Sequence, residues 1–233
     1  SVGTARFIYN WTLVRQEENY KNGGKFISDN DLRKEKNYTN ENSSNKTNKN
    51  KENSIDFSHI NKDFVCWINI KNTNIDYPVV QGDDNSYYLH RDIYGNYLYA
   101  GTTFLDYRNN YNDSKNLIVY GHNMKNTTMF SELEKFKKED FFNSNPTITL
   151  TNKNGERHFK AFAVLLVDKN YDYRVPDFKN DEEYNKFLNK ICDESMFKVK
   201  NKPTSSDKIM TLTTCSYEFK NARTVVICKE IDN

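Results

Sequence analysis

The chain has 233 residues, enough for one substantial domain or one domain with an appendage. Its 34 Lys+Arg against 32 Asp+Glu leave a net charge of +2, which argues against nucleic-acid binding through a broad basic face. Its 36% hydrophobic and 14% aromatic content can build a core, with Tyr and Phe supplying much of the volume.

Four cysteines, Cys66, Cys192, Cys215 and Cys228, are widely spaced with no CxxC pair, so a structural zinc site is not expected. No run of about 18 apolar residues and no signal-peptide core occurs, so no membrane span is expected within these residues.

From Arg6 to Tyr20, the residues Phe7, Ile8, Trp11 and Val14 recur at helical spacing, and Gly23-Gly24 follows. This is an amphipathic helix that either packs on the main domain or lies on a membrane surface; the Glu17-Glu18 pair disfavours the latter. Residues 37–54 are nearly all polar and too poor in apolar surface to offset their ordering entropy, so a mobile linker is expected. The division is therefore residues 1–55, helix plus linker, and 56–233, the folded domain.

Phe64–Ile70 reads as a strand and Ile75–Val80 as a second, Pro-interrupted edge strand. Gly82–Arg91 suggests a turn and a short helix. Gly101–Leu105 and Asn116–Tyr120 are further strands, and Met129–Lys138 a helix with Phe130, Leu133 and Phe136 on one face. Thr147–Thr151 and Arg157–Val167 flank Asn152-Lys-Asn-Gly155, a strong hairpin turn. A long excursion from Asp168 to Asp207 contains a helical pattern over Glu182–Met196. Two β-branched runs close the chain, Lys208–Cys215 and Arg223–Cys228. Seven or eight strands with few helices between them point to a mainly β, closed or half-closed barrel.

If the last two strands pair, Cys215 ends one and Arg223 begins the other. The residues alone allow two readings: a buried thiol in a hairpin with an arginine over its rim, or a thiolate beside a fixed cation. Strand parity places Cys228 on the face opposite Arg223. Of four histidines, His158 sits inside a strand, while His59 and His90 carry no local signal. His122 stands where a buried strand ends at a glycine, in Tyr120-Gly-His-Asn-Met124, a common mounting for catalytic side chains.

Tyr-Gly-His-Asn-Met at 120–124, Thr-Leu-Thr-Thr-Cys at 211–215 and Arg223 resemble the three catalytic motifs of sortases, the transpeptidases that attach proteins to the Gram-positive cell wall. Asn74–Gln81, Asn85–Leu89, Phe104–Arg108 and the helix-bearing insertion before the catalytic strand resemble class B. Thr213 stands where many members have serine, and the segment 37–54 looks like an insertion.

The resemblance implies a sortase-type barrel with an N-terminal helix. It implies Cys215 as nucleophile on a threonine carbonyl of a C-terminal sorting motif, His122 as acid and base, and Arg223 as oxyanion or backbone donor. Thr213, Thr214, Asn123, Tyr171, Tyr173 and Val175 are the candidates for the substrate groove. Asn123 is not expected to complete a triad, because chain neighbours rarely face the same way. Asp83, Asp84, Asp106 and Asp113 form no cation-binding loop pattern, so neither metal nor cofactor is expected. The implied partners are surface proteins with a sorting motif and a peptidoglycan amine. The implied location is the outer face of a Gram-positive membrane, reached through an N-terminal anchor not seen in these residues. Two other readings are a cysteine endopeptidase that only hydrolyses the motif and a non-enzymatic surface module.

Overall fold

The structure is a computed structural model that describes residues 54–125, 127–215 and 219–232. The expected N-terminal helix and, but for Ser54, the polar segment 37–54 lie outside the described residues. Among the described residues eight strands follow one another: β1 (Phe64–Ile70), β2 (Asp76–Val80), β3 (Phe104–Leu105), β4 (Asn116–Tyr120), β5 (Ile148–Asn152), β6 (Gly155–Asp168), β7 (Ile209–Cys215) and β8 (Ala222–Ile231). They close into a barrel in the order β1-β2-β3-β4-β7-β8-β6-β5, with β5 hydrogen-bonded back to β1. Closure leaves no long free edge to template aggregation.

The alternating pattern of β7 and β8 sorts their side chains into two cores. Met210, Leu212, Val226 and Cys228 face the barrel interior with Ile68, Val119 and Phe136. Ile209, Val225 and Ile227 face outward into a second cluster. That cluster is roofed by α2 (Asp181–Glu194), whose Tyr184, Phe187, Leu188 and Ile191 are buried at helical spacing. Asn180 caps α2 by accepting from the Glu183 amide at 2.9 Å, and three acidic residues fill the first turn, where the helix dipole favours them. A bulge between Ala161 and Ala163 lets β6 serve both layers: Phe159 packs inward, while Phe162 and Leu165 pack under α2.

Three sequence expectations are corrected. β2 is not an edge strand: β1 pairs along its length, and β3 closes the barrel beside it through Val80↔Phe104. Pro78 is tolerated because the far side of β2 carries no ladder at that residue. The strand expected over Gly101–Leu105 shrinks to Phe104–Leu105, because Gly101 has φ +62° and Thr102 donates instead to the Tyr88 carbonyl at 3.1 Å. Met129 has φ +55°, so no helix starts there; a 3-10 helix (Ser131–Lys137) and the short α1 (Glu139–Ser144) take its place.

Candidate active site

The site is set by register. β4 runs parallel to β7 from Asn116↔Ile209 to Tyr120↔Thr213, a constant offset of 93 residues (209 − 116 = 213 − 120). Two residues past the last pair, one on each chain segment, stand His122 and Cys215, and 215 − 122 is the same 93. On the other side of β7, Cys215 pairs with Arg223 of β8. Adjacent strands are about 4.8 Å apart, so the exit of β4, the end of β7 and the start of β8 bring His122, Cys215 and Arg223 into one row across the end of the barrel.

The local sequence explains why the chain stops there. A Cβ on Gly121 would lie 2.5 Å from the fully buried Phe130 ring, so only glycine fits between β4 and that ring. The Gly121 amide still donates to the Thr213 carbonyl at 3.3 Å, and the Phe130 amide donates to the His122 carbonyl at 2.9 Å. The backbone of His122 is thus held on both sides.

The row borders a cleft of about 290 Å³, lined among others by Leu89, Tyr120, His122, Tyr173, Thr213 and Arg223. Its two walls differ in kind. On one side, Thr213 is buried and its hydroxyl hydrogen-bonds the Tyr173 hydroxyl at 2.7 Å. Tyr173 belongs to the insertion between β6 and β7, which is strapped over β4. Asn116 donates to the Val175 carbonyl at 2.9 Å, its amide donates to Pro176 at 3.0 Å, and Arg108 donates to the Arg174 carbonyl at 3.0 Å. On the other side, the wall is the 3-10 turn Tyr87–His90, whose Leu89 carbonyl accepts from His122 Nε2 at 2.6 Å.

A carbonyl can only accept, so Nε2 carries a proton in this arrangement and Nδ1 is the nitrogen free to exchange one. The imidazole is half-buried. Desolvation pushes its pKa below the ordinary histidine value; the Leu89 carbonyl opposes this and the charge of His90 adds to it.

Beneath the cleft, Asp106 is fully buried and ties the walls together. It receives a two-pronged bond from Arg108 at 2.9 and 3.0 Å, the Tyr120 hydroxyl at 2.8 Å and the Asn85 amide nitrogen at 3.0 Å. Burial disfavours its charge, but the Arg108 side chain and amide and the Tyr120 hydroxyl outweigh that, holding the carboxyl below the usual carboxylate range. Its oxygens are occupied within this network.

Of the sequence-predicted groove residues, Tyr173, Thr213 and Thr214 line the cleft. Thr214 is buried, and its Oγ1 meets no hydrogen-bond partner among the described residues. Tyr171 and Val175 instead pack against the outer core, Tyr171 under the Lys190 ammonium at 4.5 Å from its ring. Asn123 forms an isolated bridge with Met129 away from the cleft lining. Sequence reasoning missed Leu89, Tyr120 and Arg174 as lining residues and His90 as the ring stacked on His122. The Asn85–Leu89 and Phe104–Arg108 stretches carried the family resemblance, and that was the available signal.

The family model described as the sortase domain matches residues 68–231. The curated Sortase B of Listeria monocytogenes is 36% identical over 174 residues, covering 73% of this chain and 71% of that protein. The chain belongs to the class B sortases. The solved Clostridium perfringens sortase B superposes with a TM-score of 0.72 at 43% identity, over 75% of this chain and 97% of that one. The Staphylococcus aureus sortase B–substrate complex superposes with a TM-score of 0.70 at 34% identity, over 75% and 82%. A second model, a helix-turn-helix domain, matches residues 1–25, outside the described residues. The mainly β barrel and the sortase role expected from the motifs agree with these relatives.

Proposed function

We propose that this sortase is a cysteine transpeptidase that joins proteins bearing a C-terminal sorting motif to an amine of peptidoglycan. The observation that carries the reading is the row made by the 93-residue offset of β4 and β7 and the Cys215↔Arg223 pair.

In this reading the Cys215 thiolate attacks the threonine carbonyl carbon, forming a C–S bond and an oxyanion. The Arg223 guanidinium, with its fork of fixed donors, stabilises that oxygen. Collapse breaks the C–N bond, and the leaving amine takes a proton from Nδ1 of the His122 imidazolium. The lowered pKa of His122 makes that imidazolium a stronger acid. An incoming amine then attacks the thioester, gives its proton to the same Nδ1 and releases the thiolate. One amine replaces another, so the sequence needs no cofactor.

Tyr173 and Thr213, joined by their hydroxyls, and Thr214, with a buried hydroxyl open to a partner, are the substrate contacts in this scheme. Arg174 and Leu89 join them on the cleft lining. A surface acceptor places the enzyme at the outer face of a Gram-positive membrane.

The test is product analysis by mass spectrometry. Quenched peptides starting Asn-Pro, Ser-Pro, Pro-Pro or Leu-Pro are incubated with the enzyme and an amine acceptor. Transpeptidation predicts a product in which the amine is joined to the new threonine end. A free threonine carboxylate as the sole product, at saturating amine, would make the enzyme a hydrolase instead.

A further inference from the structure

His90 carries no motif, yet it lies where the proton-transfer histidine is held. Its ring stacks on that of His122 with centroids 5.3 Å apart and planes 25° apart. Tyr99 lies nearly parallel to both, 5.5 Å from His90 and 6.3 Å from His122. The three rings form one stack, of which His122 lines the cleft. His90 is itself pinned, because its Nδ1 lies 2.8 Å from the Tyr99 carbonyl and must donate to it.

The residue before it supplies the Leu89 carbonyl that accepts from His122 Nε2 at 2.6 Å. That carbonyl ends a 3-10 turn, where backbone acceptors lack a partner within the helix. The turn is braced from behind by the chain at Gly101. Gly101 has φ +62°, and a Cβ there would collide with the backbone of both Tyr88 and Leu89. The Thr102 hydroxyl fastens the next residue to the Arg91 carbonyl at 2.8 Å. One short turn therefore fixes the His122 ring twice, by a bond in its plane and by a face against its face.

We propose that His90 is a positioning residue of the sortase reaction, its Tyr99-held ring being the platform that keeps His122 Nδ1 turned toward the row of Cys215 and Arg223. The inference rests on His122 being the proton-transfer group. His90 also lowers the His122 pKa through its own charge, a lesser cause than desolvation. The other charged groups lining the cleft are Arg223 on β8 and Arg174 on the insertion, with Tyr120 and Tyr173 as its phenols. Arg91 adjoins His90, with its guanidinium 4.7 Å from the Tyr87 ring. None of these groups is itself altered when His90 alone is replaced, so a change at His122 common to both His90 variants is assigned to His90.

The test compares wild type, His90→Phe and His90→Ala in the full chain by two readouts. One is the NMR titration and chemical shift of the His122 ring; the other is the single-turnover rate of thioester formation on a peptide that the wild type cleaves. His90→Phe keeps a ring and loses the charge, so the His122 midpoint rises while its ring-current shift persists. His90→Ala loses both, so the midpoint rises, the part of the ring-current shift that His90 supplies is lost and only that of Tyr99 remains, and the rate falls by about tenfold, on the scale expected for a misaligned catalytic group. An unchanged His122 resonance and titration in His90→Ala overturns the proposal, even if the rate falls. The NMR arm needs no substrate, so a wild type that acylates no peptide would defeat the transpeptidase reading and leave this one decided.

Discussion

The two walls of the cleft are built by different physics. The strand wall, Thr213, Cys215 and Arg223, is placed by ladder register: Thr213 pairs with both Tyr120 and Val225, Arg223 pairs with both Cys215 and Val167, and the barrel behind them is closed. The turn wall is Leu89, and the turn that carries it, with the His90 ring stacked on Tyr99, is held by loop contacts: the Thr102 amide donates to the Tyr88 carbonyl at 3.1 Å and the Leu98 amide to the His90 carbonyl at 3.0 Å, while Tyr99 is 52% exposed. His122 is where they meet, with its backbone on the strand side and its ring on the turn side. Rigid placement suits the proposed nucleophile, Cys215, and oxyanion donor, Arg223, while a ring seated by a short turn suits the role proposed for His122, exchanging a proton with two different amines. The comparison predicts that strand-wall changes act on transition-state stabilisation, and turn-wall changes on the proton-transfer step.

The largest effect should come from Arg223→Ala, which removes the proposed oxyanion donor and should lower kcat of peptide cleavage by about 10²–10³-fold. Arg223→Lys should recover little of it, because a point charge lacks the fork. A kcat within threefold of wild type in Arg223→Ala would remove that residue from the mechanism.

Next in size is Leu188→Ala beneath the roof of the strand wall, where a fully buried side chain leaves a cavity. Chemical denaturation should show a loss of about 2–5 kcal/mol. Loss below about 1 kcal/mol would mean that α2 does not hold the insertion over β7.

Tyr173→Phe leaves the buried Thr213 hydroxyl without its 2.7 Å partner, at a cost of about 1–3 kcal/mol. Because the pair lines the groove, part of that cost should appear as a raised KM for the peptide. Unchanged KM would place the pair in the scaffold alone.

The smallest effect is in pH. Desolvation lowers the His122 pKa, so the ring stays neutral down to a pH below the ordinary histidine value and gains its proton only there. The proposed mechanism needs the pair of His122 and Cys215 to have lost one proton, so the acid limb of thioester formation belongs to the group with the lower pKa. That limb should lie below 6.5, the unperturbed value, with rate lost as pH falls through it. An acid limb above 6.5 would contradict the desolvated seat.

What the sequence could disclose follows the same division. Strand parity separates Cys215 from Cys228, and the structure puts Cys228 wholly inside the barrel, where burial pushes its thiol pKa up. The β-branched runs and the Asn-Gly turn locate most strands, because side-chain alternation is a local property. The alignment of β4 with β7 is not local: a parallel pairing across 93 residues appears only when the barrel closes. His90 carries no local sequence signal for the same reason, since its partner stands 32 residues away and the link is a ring face. The helix expected from Met129 failed on a single left-handed residue that hydrophobic spacing cannot report.

The central claim is that Cys215, in its row with His122 and Arg223, carries the acyl group. The direct measurement is the intact mass of the enzyme after brief mixing with a sorting-motif peptide and no amine, followed by peptide mapping. The account predicts an added mass equal to the peptide through its threonine, located on Cys215, discharged by hydroxylamine and absent from Cys215→Ala. Peptide cleavage without an adduct on Cys215, or cleavage that persists in Cys215→Ala, would contradict it.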